Sequence, residues 1–268
     1  PVDHPKLTIE ALDTLAGSTN PKLQREAVRA LAIHANPRRA EPLAVVANNT
    51  DAEAEIRADA IAGLAAFADS HQVFLQTLAS DSNETIAREA ARTLGSAGLT
   101  ERNLETKPLF TDIAAWEEML DALPGEANLA VGRRLFFHRR LATCSSCHSM
   151  NGRGIEVGPD LTTINQQGDN GRTWLLEHIL NPNAEVAPYF RPQTIQTRDG
   201  KAYMGFILGK EGKAQTYVGP DGKKFSVLKD NVLKRDELPI SLMPPGLLAP
   251  LSTEEIRDLI AYILKGKD

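Results

Sequence analysis

Two thiols and an imidazole stand within five residues: Cys144-Ser145-Ser146-Cys147-His148. Thiolate sulfur is a nucleophile and a soft metal ligand, and imidazole suits iron, zinc and copper. The spacing selects among these chemistries, because C-x-x-C-H is the attachment pattern of a c-type haem. Two thiols three positions apart can each add to one of the porphyrin's two vinyl groups. The following residue then presents an imidazole to the iron as proximal ligand. Two other readings use the same residues: a zinc half-site and a redox dithiol. A structural zinc site takes four N or S ligands, often as two such pairs, and the chain has only these 2 cysteines. A redox C-x-x-C is expected in a βαβ context, which the flanking sequence does not offer. Both cysteines lie in the motif, so no disulfide is expected.

The elements that must position these residues lie on both sides. Residues 126–138 read as a helix with Leu129, Gly132, Leu135 and Phe136 along one side. Near the C-terminal end, Ser252-Thr253-Glu254-Glu255 is a capping box. Ile256, Leu259, Ile260 and Ile263 follow at helical spacing and give that helix one apolar face. Gly132 would let the two helices approach closely. Between them, residues 173–180 read as a helix stopped by Pro182. Turn signals at Asp199-Gly200, Glu211-Gly212 and Asp221-Gly222 separate four strand-like runs: 194–197, 202–208, 215–218 and 225–228.

With these residues in place, residues 125–268 resemble a class I cytochrome c. Gly132 and Phe136 look like the glycine and aromatic of that family's first helix, and Tyr262 like the aromatic of its last. Gly158-Pro159-Asp160-Leu161 looks like the stretch whose proline carbonyl accepts a hydrogen bond from the proximal histidine, with the leucine packed on the ring. The resemblance therefore implies Pro159 and Leu161 in the haem environment, His148 as proximal ligand and Met243, in Met243-Pro244-Pro245-Gly246, as distal ligand. It departs from a minimal member in an extra basic turn over 137–143 and in the 95 positions from His148 to Met243. The excess lies at about 187–238 and reads as a small antiparallel β insertion. More specifically, the region resembles the planctomycete-type haem-binding domain. The order C-x-x-C-H, Gly-Pro-Asp-Leu, a helix ending in Asn-Pro, a Asp-Gly-Lys hairpin and Met-Pro before the last helix carries that likeness.

Rivals to Met243 are Met150, too near His148 to reach across a ring, Met204 in a strand and Met119 in the connector. His178 would give bis-histidine ligation. Arg133, Arg134, Arg139 and Arg140 read as a solvated helix face or as a rim for an acidic redox partner or a haem propionate. Arg172 and Trp174 are further propionate candidates.

The first hundred residues carry different information. Segments 20–31, 51–64 and 82–94 each begin with a capping residue and carry Arg25, Arg57 or Arg88, then Ala27, Ala60 or Ala90. Each closes on Leu31, Leu64 or Leu94, leucines 33 and 30 positions apart. A period in that range marks stacked helical repeats, and shorter partners fall near 39–47 and 71–79. The array resembles HEAT-type repeats. The expected fold class is mainly α and multi-domain. Helical repeats occupy 1–105, a connector helix with Trp116 and Met119 inward occupies 106–124, and the cytochrome fold with its β insertion occupies 125–268.

The chain has 268 residues, 42% hydrophobic, with net charge −5. That balance argues against a nucleic-acid partner, and no apolar run is long enough to span a membrane. The repeats carry 10 Lys and Arg against 15 Asp and Glu, and the β insertion 10 against 6. The expected function is electron transfer through one covalent haem c with His148 and Met243 on the iron, taking electrons from a fused or separate exported dehydrogenase. The alternatives are a haem enzyme or sensor with an open distal side, and a repeat scaffold with accessory haem. The cytochrome resemblance implies a periplasmic or otherwise exported protein. No leader is visible and the chain begins at Pro1, so the expectation is a mature protein or a fragment of a longer exported one.

Overall fold

The computed structural model describes residues 4, 6–95, 107–167, 171–209 and 212–265. About half of the chain is helical, and the described residues also form a five-stranded antiparallel sheet and a two-stranded hairpin. The helices are α1 (Ile9–Ala16), α2 (Pro21–Ile33), α3 (Ala40–Asn48), α4 (Ala54–Gly63), α5 (Gln72–Leu78), α6 (Glu84–Gly95), α7 (Ile113–Asp121), α8 (Leu129–Phe137), α9 (Gly171–Leu180) and α10 (Thr253–Lys265). Two compact units interleave along the chain. One holds residues 1–106, 123–144 and 249–268; the other holds 107–122 and 145–248. The helices α8 and α10 therefore group with α1–α6.

In the first unit, α2 packs on α4 and α4 on α6, with α3 and α5 as shorter partners. Of the three expected caps only Asn20 is in place: α4 starts after Glu53 with no side-chain cap rather than at Asp51, and α6 is capped by Asn83 rather than Ser82. Asn20 accepts from the Lys22 and Leu23 amides with Pro21 in the first turn, and Asn83 accepts from Thr85 and Ile86. The equivalent alanines Ala27, Ala60 and Ala90 are all buried, where a small side chain admits the neighbouring helix. Gln24 and Arg57, thirty-three positions apart, do the same job: each donates to a carbonyl closing a preceding helix, Ala16 at 2.9 Å and Ala47 at 3.0 Å. From Ile56 to Gly63 every residue of α4 is buried, as expected for the central helix of a stack. Helix α1, capped by Thr8, precedes the first expected repeat helix.

Helices α8 and α10 cross at Gly132. A Cβ there would stand 2.0 Å from the Asp258 carbonyl oxygen, so only glycine permits this approach. Phe136 and Tyr262 meet beside it, ring centroids 5.9 Å apart. The capping box forms: Glu255 N donates to Ser252 Oγ, and Ser252 N to Glu255 Oε2.

That glutamate also belongs to a buried chain of charges. Its other oxygen accepts from Arg92 on α6 at 2.7 Å, and Arg92 also pairs with Glu89. Glu89 accepts from Arg134 on α8 at 2.7 Å; Arg134 reaches Glu55 and Asp59 on α4, and Asp59 pairs with Arg29 on α2. Glu89 is 0% and Arg134 3% exposed. Burial alone would lower the Arg134 pKa, but the Glu89, Asp59 and Glu55 carboxylates more than offset it and raise it. Arg133 is also buried, over the Phe137 ring, while Arg139 bonds the Ile33 carbonyl and Arg140 pairs with Asp69. These arginines thus bind the unit's own helices, which neither expected reading of the cluster described.

In the second unit, α7 starts at the Asp112 cap and buries Trp116 and Leu120; Met119 is half-buried where an inward position was expected. Arg172 and Thr173 tie α9 to α7 through Asp121 and Glu117. The strands are β1 (Ser149–Met150), β2 (Arg153–Gly154), β3 (Gln193–Thr197), β4 (Ala202–Gly209), β5 (Ala214–Val218), β6 (Lys224–Leu228) and β7 (Val232–Glu237). The larger sheet runs β6-β5-β4-β3-β7, all antiparallel. Four of its strands match the expected runs; β7 is additional. Its edges β6 and β7 are joined by only Lys229–Asn231. Four residue steps reach at most about 14 Å, whereas four flat strand spacings need about 19 Å, so the sheet must curl. Its inner face encloses Ile195, Tyr217 and Val227.

Candidate functional site

The motif begins in a single 3-10 turn, Cys144–Ser146, entered through an unusual backbone. Ala142 and Thr143 both have left-handed φ, 53° and 50°. For residues with a Cβ this conformation costs roughly 1–2 kcal/mol each, and a β-branched threonine is rare there. The division between the two units falls between Cys144 and Ser145. Neither cysteine is in a disulfide. Burial pushes the Cys147 thiol pKa up.

After the motif the chain turns back on itself and lies alongside it. Ile155 N donates to Ser145 O, Val157 N to Cys147 O at 2.9 Å, Gly158 N to Cys147 O at 2.7 Å and Leu161 N to Ser149 O at 2.9 Å. The reversal is the β1–β2 hairpin, turned at Asn151 and Gly152, both at positive φ. Asn-Gly is the residue pair that a two-residue hairpin turn demands, and it is the sequence signal for this element. Gly154 seats the second strand: a Cβ would lie 2.2 Å from the His148 carbonyl oxygen.

His148 is half-buried and held on two sides. Its Nδ1 lies 2.8 Å from the Pro159 carbonyl oxygen. A carbonyl can only accept, so Nδ1 carries the proton and Nε2 keeps its lone pair for a Lewis acid. Burial lowers the ring's pKa, and the Pro159 bond works against that. Gly158 lies flush on the ring; a Cβ there would come within 2.6 Å of Cε1. Asp160 fastens the same loop, accepting from Ser149 Oγ at 2.9 Å and Thr162 N at 2.6 Å. Burial would raise its pKa, but the hydrogen bonds from Thr162 and Ser149 hold it below the usual carboxylate value. Leu161 is buried.

Cys147, His148, Pro159 and Leu161 thus come together in one stitched loop pair. Met243 lies in the same unit, half-buried, beyond β7, with its amide donating to Ser241 Oγ. Gly246, at φ 80°, turns the chain after Pro244 and Pro245. Its neighbour Leu242 packs on an apolar cluster that Cys147 also touches. Among the rivals, Met150 is fully buried and Met204 is 36% exposed on β4. His178 is engaged within its own helix: Nδ1 donates to Trp174 O at 2.7 Å and the ring stacks on Trp174 at 3.9 Å.

These residues fit a covalently held haem. Two thiols outside any disulfide sit at the required spacing, one imidazole is fixed in the tautomer that frees Nε2, and a glycine leaves that ring uncrowded. Among the described residues, no group of three or more His, Cys, Asp or Glu side chains is placed to hold a metal ion. Nor is any helix among them long and apolar enough to cross a membrane. No family model matches the chain, and no curated protein matches it.

Proposed function

We propose that this chain is an electron-transfer protein carrying one covalent haem c. The observation that carries the reading is the C-x-x-C-H motif whose histidine donates from Nδ1 to the Pro159 carbonyl at 2.8 Å. The bound haem supplies one-electron chemistry between its ferric and ferrous states. Cys144 and Cys147 would hold it through thioether links to its two vinyl groups. His148 would hold the iron through Nε2, and the Pro159 bond fixes its ring and raises its basicity. Met243 would supply the second protein ligand. A thioether raises the potential relative to a second histidine. The Gly132, Phe136 and Tyr262 contacts where α8 meets α10 support the likeness of these two helices to the first and last helices of a cytochrome c, with β3–β7 read as an insertion in that fold. The repeated Gln24 and Arg57 contacts and the stacking of α2, α4 and α6 support HEAT-like repeats. The natural partner is an exported dehydrogenase, fused or separate, and the location is periplasmic or otherwise outside the cytoplasm.

A redox titration of the holoprotein tests this reading. The expected result is a reversible one-electron couple and a six-coordinate, low-spin ferric spectrum, with Met243→Ala high-spin and at lower potential. A high-spin wild type that Met243→Ala leaves unchanged would remove Met243 from the iron and favour an open-site enzyme or sensor.

A further inference from the structure

The curled sheet has two faces with separate tasks. Inside, Ile195, Tyr217 and Val227 form its own core, with Tyr203, Ile207, Phe225 and Val232 around them. Phe206 and Val218 point the other way. They are direct cross-strand partners on β4 and β5, and so share a face. They are 5% and 2% exposed, buried together with Val157 from the loop beside the motif. Cys147, Ile155, Phe190 and Leu242 pack against this cluster. Its surroundings are fitted closely. Phe190 meets Phe206 edge-on at 6.4 Å, and a Cβ on Gly222, at the β5–β6 turn, would lie 3.1 Å from Ile155.

The cluster therefore touches both ends of the site. Cys147 and Val157 flank the His148 side, and Leu242 immediately precedes Met243. The rest of the Met243 approach is also tied to the base of the sheet and to the turn after α9. Leu238 N donates to Pro192 O at 2.8 Å, Arg191 pairs with Glu237 at 3.4 Å, and Ser241 N donates to Asn183 Oδ1 at 2.8 Å. Packed apolar clusters transmit displacement because they are dense and poorly compressible.

We infer that Phe206 and Val218 are positioning residues that hold the Met243 loop in register with the Cys147–His148 segment, so that the sheet sets how firmly the methionine stays on the iron. This rests on the reading of Met243 as distal ligand. It gives the insertion a function beyond adding surface: loosening its outer face frees the ligand, while loosening its inner face alone does not.

The test compares holoprotein variants by three readouts: the weak red sulfur-to-iron charge-transfer band, the reduction potential and the affinity of the ferric protein for added imidazole. Competing-ligand affinity rises with the fraction of molecules in which methionine is off the iron. Phe206→Ala should weaken the band, lower the potential and tighten imidazole binding roughly tenfold. Phe206→Leu should restore most of each. Val227→Ala lowers the melting temperature through the inner core but should leave all three readouts at wild-type values. If Phe206→Ala does not fold, Val218→Ala and Phe206→Leu are scored in its place and should shift the readouts in the same direction by less. The inference is overturned if the outer-face variants keep wild-type band and imidazole affinity, or if Val227→Ala moves them equally. A wild type that lacks the band and is unaffected by Met243→Ala defeats the ligand reading itself, a separate result.

Discussion

Both units are packed on apolar clusters, but the helical unit adds a second material to hold distant segments together. In the helical unit, a buried chain of alternating charges runs from Arg29 through Asp59, Arg134, Glu89 and Arg92 to Glu255, linking α2, α4, α8, α6 and α10. In the sheet unit, β4 and β5 are joined to the motif loop by an apolar cluster, and the motif itself by backbone hydrogen bonds. The difference lies in how each fails. An apolar contact weakens in proportion to the area lost. A buried charge left without its partner carries its full desolvation penalty. The helical unit should therefore be brittle and the sheet unit graded.

The strongest way to break this comparison is Arg134→Ala. It takes one of two arginine partners from each of the buried Glu89 and Asp59, leaving them Arg92 and Arg29, and the expected cost is about 3 kcal/mol, read as a fall in denaturant midpoint. Replacing Arg134, Glu89 and Asp59 together by apolar residues of similar volume should recover most of that loss. If Arg134→Ala costs no more than a surface substitution, the charge chain is not what holds these helices. Gly132→Ala comes next. Its Cβ meets backbone rather than a side chain that could move, so the crossing of α8 and α10 must open. Overpacking of this kind costs about 1–3 kcal/mol or more, checked by thermal melting.

Gly158→Ala sharpens the comparison at the site. It pushes on the His148 ring and should disturb the proposed haem ligation, seen in the ferric spectrum, more than it lowers the melting temperature. Equal, small effects on both would mean the ring has room to shift. The smallest expected effect is at Asp160. Its pKa is lower in the folded protein than in the unfolded chain, so its stabilisation is present above the ordinary carboxylate value and is lost as pH falls through the lower folded value. Asp160→Asn should remove that part of the acid dependence, measured by denaturant unfolding across the acid range, and leave the remainder intact.

Much of this organisation is legible in the residues. The capping residue Asn20, the closing leucines, the capping box at Ser252 and the Asn181-Pro182 stop mark helix positions because each acts locally. Three features are less legible. Strand β7 reads Val-Leu-Lys-Arg-Asp-Glu, with charges where alternation would show an apolar face; an edge strand is protected by such charges, and they mask it. The β1–β2 hairpin has only two residues per strand, and the Asn151-Gly152 pair is its whole signal. The buried charge chain looks like a solvated surface because sequence shows charge without its partner. Its trace is positional: Glu26, Asp59 and Glu89 each precede the small alanine of a repeat, so the period places a carboxylate at the same point of every helix. The close fit of Gly158 to His148 depends on a loop returning alongside the motif, which no local pattern encodes.

The most direct test of haem attachment is the intact mass of the protein after expression in an export-competent, haem-maturing host, followed by denaturation and removal of unbound cofactor. The wild type should retain one haem per chain, Cys144→Ala should retain it through a single thioether, and the variant lacking both Cys144 and Cys147 should retain none. A wild-type chain recovered at its bare polypeptide mass under those conditions would contradict covalent attachment and, with it, the electron-transfer reading built on it.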